Sequence, residues 1–477
     1  MLPVKKFRGV ENYATKITAT VIALGQDSFP SHWCSEGLLP GDPLFAKQLQ
    51  QAYLRYRRFV PSRLLYHRAH FRVLRLLGAS AQERAVVADR LLLERLADAV
   101  MHVPHYRDQV RLDPQAILHA GSAAEVIREF PYLDRQTFMN APQRFLSDRY
   151  RLHPLHRATS AGSTGEGVVV WRNKRLIDIE MAFFAAAWSA YGFRFERSRT
   201  LRVARDAMRP IDEPPTWIQG NRLMLSPRHT GPRWLDVIRR DIEAFAPDYI
   251  YGYPGAVDDL VRLFGDRMPG VHARAVLLTS EHAHDDQLRR IGEAFRAPVS
   301  VNYGMTERTN IAFRELRDGV LAPYRFESLY GYSENRLQNG LFEIIGTSLW
   351  NDVMPLIRYR TADFGRIAGD GTITQLDGRG QDYLIDRFGL RVAGQMIRVD
   401  DQSWSFLRTY QVRQSRAGEC RILVVPRHAI LDSTQLESVQ SWLQRQWGKH
   451  FDLTVEQVPD IPLTASGKRR QVICDLH

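Results

Sequence analysis

The sequence predicts an α/β protein: a large N-terminal domain of mixed sheets with flanking helices, followed by a small α+β domain. Three observations predict it. Residues 44–102 place apolar side chains at helical spacing; from about residue 155 strand-like and helix-like segments alternate; near Gly378 the pattern changes to a short mixed unit. Strand–helix alternation builds a sheet with helices on its faces. At about 150 residues per domain, 477 residues allow two or three domains.

The lead-in is mainly helical over residues 1–102, with Ala85, Val87, Leu91, Leu92, Leu96 and Val100 on one stripe, and it turns at Val103-Pro104. Residues 274–279 (RAVLLT) read as a buried strand, 285–295 as a helix, and 299–303 as a strand beyond the break at Pro298. In the C-terminal unit, residues 421–426 read as a strand, 433–447 as an amphipathic helix and 453–458 as a strand. This sets a boundary near residue 381, dividing 1–380 from 381–477.

Composition excludes several classes. With 44% hydrophobic and 25% charged residues, the chain can fill a core without staples. The three cysteines, Cys34, Cys420 and Cys474, are scattered, which argues for reduced thiols of a cytoplasmic protein. Residues 14–25 follow Lys5, Lys6 and Arg8 but are too polar for a secretion signal. The most apolar helix candidate, 181–192, is shorter than the roughly 20 residues of a membrane span, so no transmembrane segment is expected. The net charge of +12 comes largely from dispersed arginine, with no nucleic-acid signature. It fits a basic surface, or one attractive to anionic ligands such as nucleotides or to an acidic membrane face.

Five short runs carry chemistry. Thr159-Ser160-Ala161-Gly162-Ser163-Thr164-Gly165-Glu166-Gly167 is a small-residue loop whose backbone can approach a phosphate and whose hydroxyls can donate to it. It lacks the Lys-Ser/Thr pair of the GxxxxGK[ST] loop. Asn302-Tyr303-Gly304-Met305-Thr306-Glu307 closes a strand; its tyrosine can stack on a purine, Thr306 can bind phosphate and Glu307 can hold Mg²⁺. Asp363, in Tyr359-Arg360-Thr361-Ala362-Asp363, can accept both ribose hydroxyls. Gly378-Arg379 leads into Asp382, and Pro462-Leu463-Thr464-Ala465-Ser466-Gly467-Lys468 lies near the C-terminus. Each run alone is also what a surface loop looks like.

In this order and spacing, the runs resemble the adenylate-forming superfamily of acyl-CoA synthetases, peptide-synthetase adenylation domains and luciferases. The family's SGSTGKP loop, YGxTE, Y-R-T-G-D, G-R-x-D-D and P-x-T-x-S-G-K match at residues 161–167, 303–307, 359–363, 378–382 and 462–468. Residues 246–255 (APDYIYGYPG) and 103–107 (VPHYR) are similar to the phenylacetate–coenzyme A ligase branch, and to relatives among capsule and polysaccharide genes. The resemblance covers about residues 50–477, and residues 1–45 match nothing in it.

The resemblance implies ATP-dependent activation of a carboxylic acid to acyl-AMP with release of pyrophosphate, then transfer to the thiol of coenzyme A. An amine, carrier protein or sugar is the alternative acceptor, and a non-catalytic scaffold the minor one. It implies that Lys468 bridges acid and α-phosphate, Ser163 and Thr164 hold the β/γ-phosphates, Thr306 contacts the α-phosphate and Glu307 binds Mg²⁺. Tyr303 would stack on adenine, Asp363 and Arg379 hold the ribose, and Ser280, Glu281, Asn302 and Gly304 line the nucleotide or acid site. A mobile small domain rotating near Gln381 and Asp382 is implied as well. The acid pocket is expected between residues 181–191, 251–255 and 304–305, with Tyr253, Gly304 and Met305 favouring an aromatic or medium apolar acid.

The sequence departs from the family at named places. Glu166 replaces the loop lysine, so Arg308 or Arg358 is expected to supply the grip on pyrophosphate. Ala362 replaces a glycine, and Gln381 the usual Asp or Lys. Residues 308–327 contain no Cys or His, so no zinc is expected there, and His282 with His284 reads as solvent-facing rather than metal-binding.

Overall fold

The computed structural model describes residues 56–159, 168–265, 268, 270–338, 340–379, 383–393, 397, 404, 406–427, 430–464 and 469–476; structural statements below concern these. The glycine-rich loop, Lys468, the boundary at residues 380–382, residues 1–55 and Cys34 lie outside them.

The described part of the lead-in, residues 56–102, is helical as expected. Helices α1 (Arg68–Leu77) and α2 (Ala81–His102) are each capped, α2 by a reciprocal Ser80–Glu83 box, and α2 ends at Val103 before Pro104. Leu91, Leu92, Leu96 and Val100 of α2 are buried in a core shared with Tyr106, Phe138, Phe145 and the segment around Val353. A two-stranded hairpin follows, β1 (His156–Thr159) with β2 (Val169–Arg172), and then helix α3 (Lys174–Ser189), whose N-cap Asn173 accepts from the Leu176 amide.

The centre is a 13-stranded mixed sheet. Its first half consists of β3 (Thr200–Val203), β4 (Thr216–Gln219), β5 (Arg222–Leu225), β6 (Tyr249–Gly252), β7 (Ala275–Leu278) and β8 (Val299–Gly304). Helices α4 (Leu235–Phe245), α5 (Pro254–Leu263) and α6 (Asp285–Phe295) connect these strands. Strands β5-β3-β6-β7-β8 run parallel, because α5 and α6 carry the chain back across one face between β6, β7 and β8. All four residues of β7 are buried, as its unbroken apolar run requires.

The second half is antiparallel: β9 (Ile311–Arg317), β10 (Val320–Leu321), β11 (Tyr324–Phe326), β12 (Gly331–Gln338), β13 (Leu341–Ser348), β14 (Tyr359–Ile367) and β15 (Thr372–Arg379). The sheet therefore switches from parallel to antiparallel at the β8–β9 turn, residues 305–310. It also folds over itself. In sheet order β14 is four positions from β8, about 19 Å away were the sheet flat. Yet the Tyr303 hydroxyl on β8 donates to Asp363 Oδ2 on β14 at 2.8 Å. Glycines permit the closure: a Cβ on Gly331 would lie 1.9 Å from the Thr309 carbonyl oxygen, and one on Gly346 2.4 Å from Thr309 Oγ1.

After Arg379 comes a short hairpin, β16 (Tyr383–Ile385) with β17 (Arg391–Ala393). The α+β unit then follows, with β18 (Leu407–Arg416), β19 (Glu419–Pro426), helix α7 (Ser433–Trp447), β20 (Asp452–Gln457) and β21 (Val472–Cys474). Its four strands order β20-β19-β18-β21 around a core of Val412, Ile422, Val424, Leu443 and Phe451. The fold class expected from the sequence is therefore the one observed.

Candidate functional site

Parallel strands gather their carboxyl ends on one edge. Register pairs Gly252 with Leu278 and Leu278 with Val301, so the residues after β6, β7 and β8 come together there. This edge collects Tyr253, Ser280, Glu281, Gly304, Met305, Thr306 and Glu307, which in sequence are dispersed over three motifs.

Two contacts bring β14 across to them. Besides the Tyr303–Asp363 hydrogen bond, the Tyr359 hydroxyl donates to Glu307 Oε1 at 3.2 Å. Both carboxylates are buried. Glu307 Oε2 has no hydrogen-bond partner among the described residues. Asp363 is backbone-paired with Arg379 across β14 and β15, so those two residues share the rim by register. Asn302, one residue before Tyr303, is buried and its Oδ1 finds no donor.

Four of the seven non-glycine residues with positive φ among the described residues belong to this region: Ser280 (71°), Arg308 (55°), Arg358 (49°) and Ala362 (57°). Left-handed backbone costs roughly 1–2 kcal/mol in a residue with a Cβ, and such strain concentrates at functional sites. Ala362 shows why glycine is the better residue at its position: the β14 backbone there is left-handed.

Glu281 accepts from the Gly255 amide at 3.1 Å, placing a carboxylate at the N-terminus of α5. Burial first, and Glu281 second, hold the Tyr253 phenol far above its usual range, so Tyr253 remains protonated. The aromatic side chains of α3 pack as core: Trp188 lies edge-on to Tyr251, 5.4 Å between centroids, with Phe184, Phe193 and Phe195 around it. Met305 receives the Thr309 hydroxyl at its sulfur.

The two arginines expected to grip pyrophosphate are already engaged. Arg308 pairs with Glu180 and donates to the Leu176 carbonyl. Arg358 pairs with Glu334 at 2.7 Å, donates to the Phe130 and Arg128 carbonyls and lies over the Tyr132 ring. Sequence reading missed Arg172, at the end of β2, whose Nη2 donates to the Thr306 carbonyl. The only signal was a charge closing the apolar run Val168-Val169-Val170-Trp171. It also missed the Tyr359 hydroxyl, inside a motif read for its aspartate alone.

The C-terminal unit packs on α5 and on the start of α6. Arg469 pairs with Asp259 of α5, Arg262 of α5 donates to the Leu407 carbonyl at 3.2 Å, and His284 meets Gln471 at 2.8 Å. His284 thus faces the C-terminal unit, and among the described residues no group of three His, Cys, Asp or Glu side chains could hold a metal ion. No described helix is long and apolar enough to cross a membrane. Cys420 and Cys474 are free.

No protein-family model matches the sequence. Protein CapK of Staphylococcus aureus is 21% identical over 343 residues, covering 67% of this chain and 74% of CapK. Two structures of 2-hydroxyisobutyryl-CoA ligase in the postadenylation state, in complex with R3-HIB-AMP and with 2-HIB-AMP, superpose with TM-scores of 0.58 and 0.56. Their identities are 16% and 17%, and each match covers 83% of this chain and 90% of the ligase. The chain shares the fold of that ligase.

Proposed function

We propose that the chain is an AMP-forming carboxylate ligase, similar to phenylacetate–coenzyme A ligases, with domains 1–380 and 381–477. A carboxylate oxygen attacks the α-phosphorus of MgATP, the bond to the bridging oxygen breaks, and pyrophosphate leaves with the electron pair. The acyl-AMP then passes its acyl group to the thiol of coenzyme A, releasing AMP and a proton. The observation that carries this reading is the convergence of Tyr303, Glu307, Tyr359 and Asp363, drawn from two separate motifs, at the edge where the parallel strands end. The fold shared with an acid–CoA ligase captured with acyl-AMP adducts supports it.

Catalysis of phosphoryl transfer is largely positioning and charge. Tyr303 would present its ring to adenine while its hydroxyl stays on Asp363, which would take the ribose with Arg379. The unpartnered Asn302 Oδ1 suits the adenine amino group. Mg²⁺ fits Glu307, a buried carboxylate with one oxygen lacking a hydrogen-bond partner, since Mg²⁺ is commonly held by one or two carboxylates plus phosphates and water. Bound there, it would neutralise phosphate charge. Thr306 would contact the α-phosphate, Ser163 and Thr164 in the glycine-rich loop the β/γ-phosphates, with Ala161, Gly162 and Gly165 admitting them, and Lys468 the acid and α-phosphate. Ser280 and Glu281 would border the nucleotide; Tyr253, Gly304 and Met305 would border an aromatic or medium apolar acid. Free thiols and the use of ATP and coenzyme A fit a cytoplasmic enzyme.

The test is a panel of carboxylic acids assayed for pyrophosphate release with and without coenzyme A. Acid-dependent release of pyrophosphate and AMP is expected, with acyl-CoA formed when coenzyme A is present. ADP as product, or no release with any acid, refutes the reading; release without acyl-CoA refutes the acceptor and points to an amine, carrier protein or sugar.

A further inference from the structure

Arg172 occupies an unusual electrostatic position. Its Nη2 donates to the Thr306 carbonyl, its Nε is enclosed without a partner, and it forms no ion pair among the described residues. Burial first, and the neighbouring Arg308 second, push its guanidinium well below its usual range, while Glu180 and Glu307 oppose that only in part. An arginine remains protonated at neutral pH even so. Arg172 is half-buried, with one guanidinium nitrogen shut off from solvent, and holding a cation there without a paired anion is unfavourable. Arg308, by contrast, is neutralised by Glu180, which the Tyr330 hydroxyl also holds at 3.1 Å.

The position of Arg172 indicates which anion would complete the pairing. Arg172 ends β2, the strand by which the chain leaves the glycine-rich loop, and it touches the turn carrying Thr306 and Glu307. That loop carries Glu166 where a cation would be expected beside a polyphosphate. A guanidinium fork matches phosphate oxygens in a bidentate manner. We propose that Arg172 is the cation that grips the β/γ-phosphates of MgATP, and then the pyrophosphate leaving group, in place of the absent loop lysine. The proposal rests on the adenylating reading above and adds to it the residue that selects a triphosphate.

The test measures dissociation constants of MgATP and of AMP, which lacks those phosphates, for the full chain and for Arg172→Met and Arg172→Lys. Loss of a charge-assisted contact predicts MgATP binding weaker by about ten- to hundredfold in Arg172→Met, with AMP changed by less than about twofold. Arg172→Lys keeps the charge without the fork and is expected to fall between. A purely structural clamp on Thr306 would weaken both nucleotides alike, because Tyr303 and Asp363 adjoin the same turn. Equal losses for MgATP and AMP, no loss for either, or no preference of the wild type for MgATP would overturn the proposal. If Arg172→Met fails to fold, the same ratio in Arg172→Lys decides it. Failure of every acid to yield acyl-AMP would refute the proposed function, yet the ATP-to-AMP ratio would still judge Arg172.

Discussion

Gly331 lies in β12 against the backbone of Thr309, in the same turn as Thr306 and Glu307. A methyl group there would come within 1.9 Å of the Thr309 carbonyl oxygen, 2.9 Å of its carbon and 3.1 Å of the Thr347 carbonyl oxygen. All three obstacles are backbone, so no rotamer change relieves them; β12 and the 305–310 turn must separate by about 1 Å or more. Forcing volume into a packed site costs typically 1–3 kcal/mol, and a rigid backbone obstacle places Gly331→Ala at about 3 kcal/mol or beyond. A displacement of about 1 Å in a reacting group can cost roughly a hundredfold in rate, so any turnover should fall more steeply than stability alone predicts. Gly340→Ala is the control. Gly340 has φ of +78° but nothing within 4 Å of its Cβ, so only backbone strain of about 1–2 kcal/mol applies. Urea unfolding followed by far-ultraviolet circular dichroism measures the stabilities, and MgATP binding the site. Gly331→Ala as stable as Gly340→Ala, with unchanged MgATP affinity, would refute the closed-over sheet.

Glu307→Gln should raise the Mg²⁺ concentration for half-maximal turnover by about tenfold, the order of one charge-assisted contact; an unchanged Mg²⁺ titration removes Glu307 from the metal. Ala362→Gly should stabilise the fold by about 0.5–1 kcal/mol, since glycine relieves the left-handed strain at φ 57° but brings its own entropic cost; a lower urea midpoint would contradict this. Burial, partly opposed by its contact with the Asp178 carbonyl, holds the His70 imidazole below its usual range. The unfolded chain then binds the extra proton first, so stability is present above about pH 6.5 and is lost as pH falls through that value. His70→Asn, which keeps a donor for Asp178 but cannot titrate, should flatten the slope of stability between pH 7.5 and 5; parallel slopes would exclude His70 as a source.

The sequence by itself determined the elements and the chemistry at their ends. Buried strand β7, helix α6 and helix α7 are written in unbroken apolar runs and 3.6-residue periodicity, signals that need only neighbours in the chain. The motifs at residues 302–307 and 359–363 named Tyr303, Glu307 and Asp363 because their residue types suit nucleotide chemistry. Only the tertiary structure decided which of them meet. The Tyr303–Asp363 and Tyr359–Glu307 bonds link residues 60 and 52 positions apart, through a sheet that closes over its own turn. That closure depends on Gly331 and Gly346 facing Thr309, a requirement visible only once the strands cross. Charge allocation was equally hidden. By type alone Arg308 and Arg358 were as available as any arginine, but Glu180 and Glu334 hold them, while Arg172 is left with a carbonyl and an enclosed nitrogen. A sequence fixes which charges exist; the free energy of each depends on what packs against it, and long-range contact alone sets that.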